Sequence, residues 1–323
     1  VIKFIADVGS NFNGSKELAK QYIKVCKSIG VDIVKFQCWE VDDLLSKFHP
    51  AYEVFKKKTT PLGLPLSWHK ELKEEADKEE IVFSTTPTQP YQIEKLEEIG
   101  IEIYKVASGD LTFFPLLDEI NKTGKPVILS TGMATLSEIE LALKRLSNCS
   151  EVVLLHCISL YPPKFSEVNL KAIETLKNEF YGHPVGISDH TPGYEVPLAA
   201  VSMGISYIEK HITLDKTIDT PDAPFSLTVE EFKNLIETVK KIEISLGDGK
   251  KLPTEREIPE RFWARRGTYA GENIKKGEIF TLEKLKFLRP CKGIPAENFE
   301  IILGRRAKRD ILKGEPISFE DVE

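Results

Sequence analysis

Two histidines each close an apolar, strand-like run in the second half of the 323-residue chain. Val185-Gly186-Ile187-Ser188-Asp189-His190 is one run, and Ile205-Ser206-Tyr207-Ile208-Glu209-Lys210-His211 is the next. Imidazole is the commonest metal ligand and the side chain that titrates nearest neutral pH. At the same ends of neighbouring parallel strands, two such rings converge on one pocket. That arrangement suits a catalytic metal with open positions rather than a structural zinc closed by four ligands.

The elements that must position them follow from patterning. Short β-rich apolar runs are expected as strands at Ile2–Val8, Asp32–Gln37, Ile81–Thr85, Ile103–Ala107, Val127–Ser130, Val152–His156, Val185–Ile187 and Tyr207–Lys210. Amphipathic stretches between them predict helices at Ser15–Ile29, Ser67–Glu79, Pro90–Ile99, Phe114–Thr123, Thr135–Ser147, Glu167–Glu179, Tyr194–Met203 and Thr228–Leu246. Ser15 and the Thr135-Leu136-Ser137-Glu138 box read as N-caps, and Gly30, Gly100 and Gly124 as left-handed C-caps. Eight strand–helix units before residue 247 match a (β/α)8 TIM barrel in number and size. A doubly wound open sheet is the alternative, but the chain has no GxGxxG turn. After the barrel at 1–246, residues 247–262 read as a charged linker. Residues 263–323 read as a small β-rich domain, too small for much chemistry alone and suited to covering the barrel's site.

Bulk composition limits the function classes. With 41% hydrophobic and 29% charged residues and a net charge of −6, the chain has a soluble, mildly acidic composition, against nonspecific nucleic-acid binding. No apolar run approaches the roughly 20 residues that span a bilayer. Cys26, Cys38, Cys149, Cys157 and Cys291 are odd in number and scattered without a CxxC pair, which fits a reducing, cytoplasmic compartment. The chain begins at Val1 within a strand-like run and without a signal-peptide pattern; the expectation is a trimmed native start.

Barrel chemistry sits at the carboxyl ends of strands. Those ends carry Asp7 with Asn11 and Asn13, Lys35 with Gln37, Thr85-Thr86, and Lys105 with Ser108 and Asp110. Further on come Ser130-Thr131, His156 with Ser159 and Tyr161, Ser188 with His190, and Glu209 with His211. Lysines and hydroxyls suit a phosphate and a carboxylate; histidines and carboxylates suit a divalent metal and proton transfer. Singly, each has a plainer reading. Lys35 is balanced between function and a strand-end lysine reaching solvent, and Ser130-Thr131-Gly132 alone reads as turn chemistry. His156 reads as a satisfied core histidine; His49, His69 and His183 read as surface residues. Repetition around one rim favours function.

Asp7-Val8-Gly9-Ser10-Asn11-Phe12-Asn13-Gly14, Val34-Lys35-Phe36-Gln37, Tyr104-Lys105-Val106-Ala107-Ser108-Gly109-Asp110 and Ile128-Leu129-Ser130-Thr131-Gly132-Met133 occur in that order. Leu154-Leu155-His156-Cys157 with Tyr161-Pro162, Gly186-Ile187-Ser188-Asp189-His190-Thr191 and Ile208-Glu209-Lys210-His211 follow. This series resembles the sialic acid synthase family (N-acetylneuraminate, pseudaminic and legionaminic acid synthases) over nearly the whole chain. Ile274-Lys275-Lys276-Gly277-Glu278 and Leu288-Arg289-Pro290 resemble that family's antifreeze-like (SAF) domain.

The resemblance implies metal-dependent condensation of phosphoenolpyruvate with an open-chain N-acetylated amino sugar, giving a nine-carbon 2-keto acid and phosphate. The sugar would be N-acetylmannosamine or a 2,4-diacetamido-2,4,6-trideoxyhexose, and the metal Mn2+ or Mg2+. It further implies that Lys35, Thr86, Lys105, Ser108, Ser130 and Ser188 hold phosphoenolpyruvate, with Glu209 on the same rim. His190 and His211 would be metal ligands, polarising the sugar aldehyde. Tyr161, Asp222 and Ser159 would face the sugar, with Gln37 between the substrates. Arg289 of the partner subunit would reach the N-acetyl end in a domain-swapped homodimer. A carboxylate would take the proton from the water that adds at C2, and Asp7 and Asp110 stand where the family has its two strand-end glutamates, each shorter by one methylene, or about 1.5 Å. Phe12 replaces the histidine before Asn-Gly, and Ser159 replaces an asparagine. Two other readings stay open on the rim chemistry alone: another metal-dependent barrel aldolase or lyase, and a non-catalytic sugar- or phosphate-binding relative.

Overall fold

The computed structural model describes residues 1–50, 52–59 and 62–323. The chain divides into two compact units, Val1–Gly247 and Asp248–Glu323. In the first, eight parallel strands run in sequence order: β1 (Lys3–Asp7), β2 (Ile33–Cys38), β3 (Val82–Pro87), β4 (Ile103–Val106), β5 (Val127–Ser130), β6 (Val152–Cys157), β7 (Val185–Asp189) and β8 (Tyr207–Thr213). Pairing of β1 with β8, Asp7 opposite His211, closes the barrel. The short strand Leu227–Thr228 adds to the end of β8.

Period-two alternation makes the strands' two faces different. Ile5, Ile33, Ile103, Ile128, Val153, Leu155 and Tyr207 fill the barrel interior. Two residues further along most of these strands the inward positions turn polar: Asp7, Lys35, Lys105, Ser130 and Glu209. The outward residues, among them Phe4, Val34, Phe36, Phe83, Tyr104, Leu129 and Ile208, join a large core with the helices through Tyr22, Ile23, Leu72, Leu116 and Phe232. An apolar plug therefore lies beneath a polar rim.

Local signals place the helices. Ser15 Oγ accepts from Leu18 N at the start of helix Lys16–Ile29, and Gly30 ends it with φ +89°. Thr135 and Glu138 form the reciprocal capping box before helix Leu136–Arg145. Some elements differ from expectation. β7 and β8 continue to Asp189 and Thr213. The stretch expected as one helix from Glu167 is a 3-10 turn, Phe165–Glu167, and a helix, Ala172–Glu179, separated at Asn169 with φ +49°. His69 is not a surface residue. It shares the buried stripe of helix His69–Lys78 with Leu72 and Ala76, and its Nε2 meets Thr85 Oγ1 at 2.9 Å. Burial lowers its pKa to about 4, so the ring is neutral. His156 is buried, and its Nε2 donates to Val168 O at 2.7 Å.

In the second unit, antiparallel strands Gly267–Ala270 and Leu285–Leu288 combine with isolated bridges and 3-10 turns. Its core is Ala270, Ile274, Phe280, Ile294, Ile302, Ile311 and Ile317. A helix, Glu257–Ala264, occupies part of the stretch expected as a linker.

Candidate active site

At the carboxyl ends of the strands lies a cavity of about 710 Å³. Asp7, Lys35, Gln37, Thr86, Lys105, Ser108, Asp110, Ser130, Tyr161, Ser188, His190, Glu209, His211 and Asp222 all line it, drawn from separate strand ends and loops. Ser159 does not line it. Its buried Oγ has no hydrogen-bond partner and lies on the side of Gly132 that also faces Ser108. Arg289 is an exposed residue directly after strand Leu285–Leu288 of the second unit.

Charge organises the floor. Lys35 Nζ stands 2.7 Å from Asp7 Oδ2 and 3.3 Å from Glu209 Oε1, so it is buried rather than solvent-directed. Lys105 Nζ donates to Ser130 Oγ at 2.6 Å and lies 3.7 Å from Glu209 Oε1, which also accepts from Ser188 Oγ at 2.8 Å. Burial would lower the Lys35 pKa, but Asp7 and Glu209 outweigh it and raise it. The Lys105 pKa is lowered, chiefly by burial, although Glu209 pulls the other way. Burial raises and the two lysines lower the pKa of Glu209, and the lysines win.

The two candidate carboxylate bases differ. Asp7 accepts from Gly9 N at 3.0 Å and Gln37 Nε2 at 3.2 Å, besides meeting Lys35 and, at 3.2 Å, His211 Nε2. Against the cost of burial, His211 and Lys35 hold its pKa at about 2. Asp110, in the 3-10 turn after β4, is pushed up to about 6 by burial, with Lys105 opposing. One is a committed counter-ion; the other is poised to exchange a proton near neutrality.

The histidines converge as their strands require, with ring centroids 5.4 Å apart. His190 donates from Nδ1 to Ile158 O at 3.1 Å, which leaves Nε2 as its lone-pair nitrogen. His211 Nδ1 is buried without a partner, 3.9 Å from Asp222 Oδ2. Burial, with His211 adding to it, lowers the His190 pKa to about 3, so this ring is neutral. No group of three or more His, Cys, Asp or Glu side chains among the described residues is arranged to hold a metal. Two imidazoles, one with an orphaned nitrogen, fit a cation whose remaining positions would be supplied by solvent and substrate.

The side of the cavity lined by Asp222 and Tyr161 is built by long-range contacts. Asp222 Oδ2 accepts from Ser10 N at 2.8 Å and Ser10 Oγ at 2.7 Å, joining the loop after β1 to the loop after β8. Gly9, at φ +51°, permits this: a Cβ there would lie 2.4 Å from Asp222 Oδ2 and 2.9 Å from His211 Nδ1. Tyr161 packs its ring 4.3 Å from that of His190. Phe12 points away from the cavity into the helix–strand core, edge-on to Phe36 and Trp68. Trp39, Val41, Leu44 and Leu45 form an apolar wall that sequence reasoning missed, because apolar loop residues carry no chemical signature. Ser10 was missed as well, since only the fold brings it to Asp222.

The sequence matches the NeuB family over residues 22–251 and the SAF domain over residues 265–323. It is 40% identical to an N,N'-diacetyllegionaminic acid synthase of Campylobacter jejuni, across 97% of this chain and 98% of that one. A pseudaminic acid synthase of Helicobacter pylori is 33% identical, across 99% and 98% of the two chains. Among solved structures, N-acetylneuraminic acid synthetase from Leptospira borgpetersenii in complex with citrate superposes with a TM-score of 0.74 at 36% identity, covering 80% of this chain and 90% of that one. With a family match over most of its length on a closed barrel with this rim, the chain belongs to the NeuB family.

Proposed function

We propose that the chain is a transferase that joins phosphoenolpyruvate to an open-chain N-acetylated amino sugar, releasing phosphate and forming a nine-carbon 2-keto sugar acid. The observation that carries this is the polar rim. Thr86 Oγ1, Glu209 Oε2 and His211 Nδ1 are buried without partners and all line one cavity. Leaving such atoms unpaired costs about 1–3 kcal/mol each, and a bound ligand that pairs with them recovers it.

Lys35 and Lys105, with Ser108, Ser130, Ser188 and Thr86, hold the phosphate and carboxylate of phosphoenolpyruvate. His190 and His211 would hold Mn2+ or Mg2+, which would supply a Lewis acid to polarise the sugar aldehyde. The enol's π electrons form the carbon–carbon bond, the aldehyde oxygen takes a proton to become a hydroxyl, and C2 is left with the positive charge to which water adds. Asp110, with a pKa of about 6, takes the proton that the added water loses, giving a tetrahedral hemiketal phosphate; Asp7 orients Lys35 and His211 rather than acting as a free base. The hemiketal then collapses, its hydroxyl becoming the C2 ketone as the C2–O bond to phosphate breaks and the hydroxyl proton passes to the departing phosphate, whose charge the lysines stabilise. Gln37 lies between the substrates, Tyr161 and Asp222 contact the sugar, and Arg289 of the partner subunit closes over its N-acetyl end in a domain-swapped dimer.

A 2,4-diacetamido-2,4,6-trideoxyhexose fits the acceptor side better than a sugar phosphate. Among the described residues the cavity lining holds two lysines and no arginine, both lysines are already given to phosphoenolpyruvate, and the apolar wall offers methyl groups a surface. The relatives named as legionaminic and pseudaminic acid synthases support the same acceptor class. No helix among the described residues is long and apolar enough to cross a membrane, in line with a cytoplasmic enzyme.

A phosphate-release panel tests this, with N-acetylmannosamine, its 6-phosphate and diacetamido-trideoxyhexoses offered alongside phosphoenolpyruvate and Mn2+. Turnover is expected only with all three components present and best with the trideoxy sugars. Tight phosphoenolpyruvate binding without turnover on any sugar would instead indicate a binding protein. Release undiminished by a chelator would remove the metal.

A further inference from the structure

Each of the two rim histidines follows a member of one buried ion pair. Asp189 precedes His190 on β7, Lys210 precedes His211 on β8, and Asp189 and Lys210 are register partners. Alternation turns both pair members away from the cavity that the histidines line, and neither lines it. Lys210 is 1% exposed and Asp189 4% exposed.

The contacts enclose His190. Lys210 Nζ donates to Asp189 Oδ2 at 2.6 Å and to the carbonyl of Thr191 at 2.5 Å. Asp189 Oδ1 accepts from Thr191 N at 3.1 Å, and Oδ2 from Thr191 Oγ1 at 2.9 Å. The residues on both sides of His190 are thus tied to the residue just before His211. A generic buried ion pair gains little over apolar packing of the same shape, because desolvation offsets attraction. Holding the backbone of two ligands in register is a task apolar packing would not perform.

We infer that the Asp189–Lys210–Thr191 clamp is a positioning device that sets the spacing of His190 and His211, and through it the affinity for a divalent cation. The inference rests on the two histidines being the metal ligands. Outer groups that orient ligating histidines are typically worth about 10–100-fold in metal affinity.

The test is calorimetric titration of the full chain with Mn2+, and separately with phosphoenolpyruvate in the absence of metal. The double variant Asp189→Asn/Lys210→Met removes both charges together, so no buried charge is stranded. It is expected to melt cooperatively, bind phosphoenolpyruvate like the unaltered chain, and bind Mn2+ about 10–100-fold more weakly. Thr191→Val deletes one hydrogen bond of the clamp without changing shape; a few-fold loss of Mn2+ affinity is expected, and it serves where the double variant does not fold. Unchanged Mn2+ affinity in whichever folded variant is measured overturns the clamp. Absence of Mn2+ binding to the unaltered chain, or binding undiminished in His190→Ala and His211→Ala, overturns the metal reading beneath it.

Discussion

Lys35 and Asp7 form a buried ion pair of 2.7 Å on adjacent strands, opposite each other in the parallel register. Glu209 shares the same ammonium at 3.3 Å, so one lysine neutralises two carboxylates at the barrel floor. Lys35→Met removes the nearest cation from both, leaving His211 3.2 Å from Asp7 and Lys105 3.7 Å from Glu209. Breaking a buried pair from one side typically costs about 3–5 kcal/mol, and a loss of that order is expected in denaturant unfolding. Phosphoenolpyruvate binding should vanish in the folded fraction. A variant with unaltered stability would show that the network is not maintained in solution.

Asp7→Glu lengthens the carboxylate by about 1.5 Å toward the residue usual in the resembling family. Here the shorter side chain already meets Lys35, Gln37, Gly9 and His211, so the extra methylene must displace one of them. A fall in kcat of about 10–100-fold is expected in phosphate-release assays. A rate at or above that of the unaltered chain would mean the backbone does not compensate for the aspartate.

Gly9→Ala introduces a Cβ that overlaps Asp222 and His211, on a backbone of φ +51°. Strain of about 1–2 kcal/mol is expected. Because the displaced groups lie on the proposed sugar side of the cavity, KM for the sugar should rise more than KM for phosphoenolpyruvate. Equal changes in both would show that the loop moves as a whole.

Asp110→Asn separates stability from activity. The carboxyl is raised by burial from 3.8 to about 6, so the folded chain holds more protons than the unfolded one between these values. The stability this group supplies is present at low pH and lost as pH rises through 6. A neutral amide escapes that loss. With solvent screening of a half-buried group allowed for, Asp110→Asn should stabilise by about 1 kcal/mol at pH 7.5 and by less at pH 5, read from chemical denaturation. Turnover should collapse, and the acidic limb of the pH–rate profile near 6 should disappear. An unchanged limb would assign it to another group.

Much of this was legible in the sequence, because it follows from local rules. Period-two apolar runs and capping residues such as Ser15 and Thr135 specify strands and helices through contacts a few residues long. Eight such units imply closure, and closure sends every strand end to one face. That is why Lys35, Lys105, Ser130, Glu209 and the two histidines could be grouped before any coordinates. What only the tertiary structure decided depends on partners distant in the chain. His69 looked like a surface residue until helix His69–Lys78 set it against Thr85. Asp7 and Asp110 looked equivalent, yet the neighbours of Asp7 drive its pKa down while burial drives that of Asp110 up. The two histidines were readable from their strand ends. The clamp behind them was not, because the contact between Asp189 and Lys210 exists only when β7 lies beside β8 in one register.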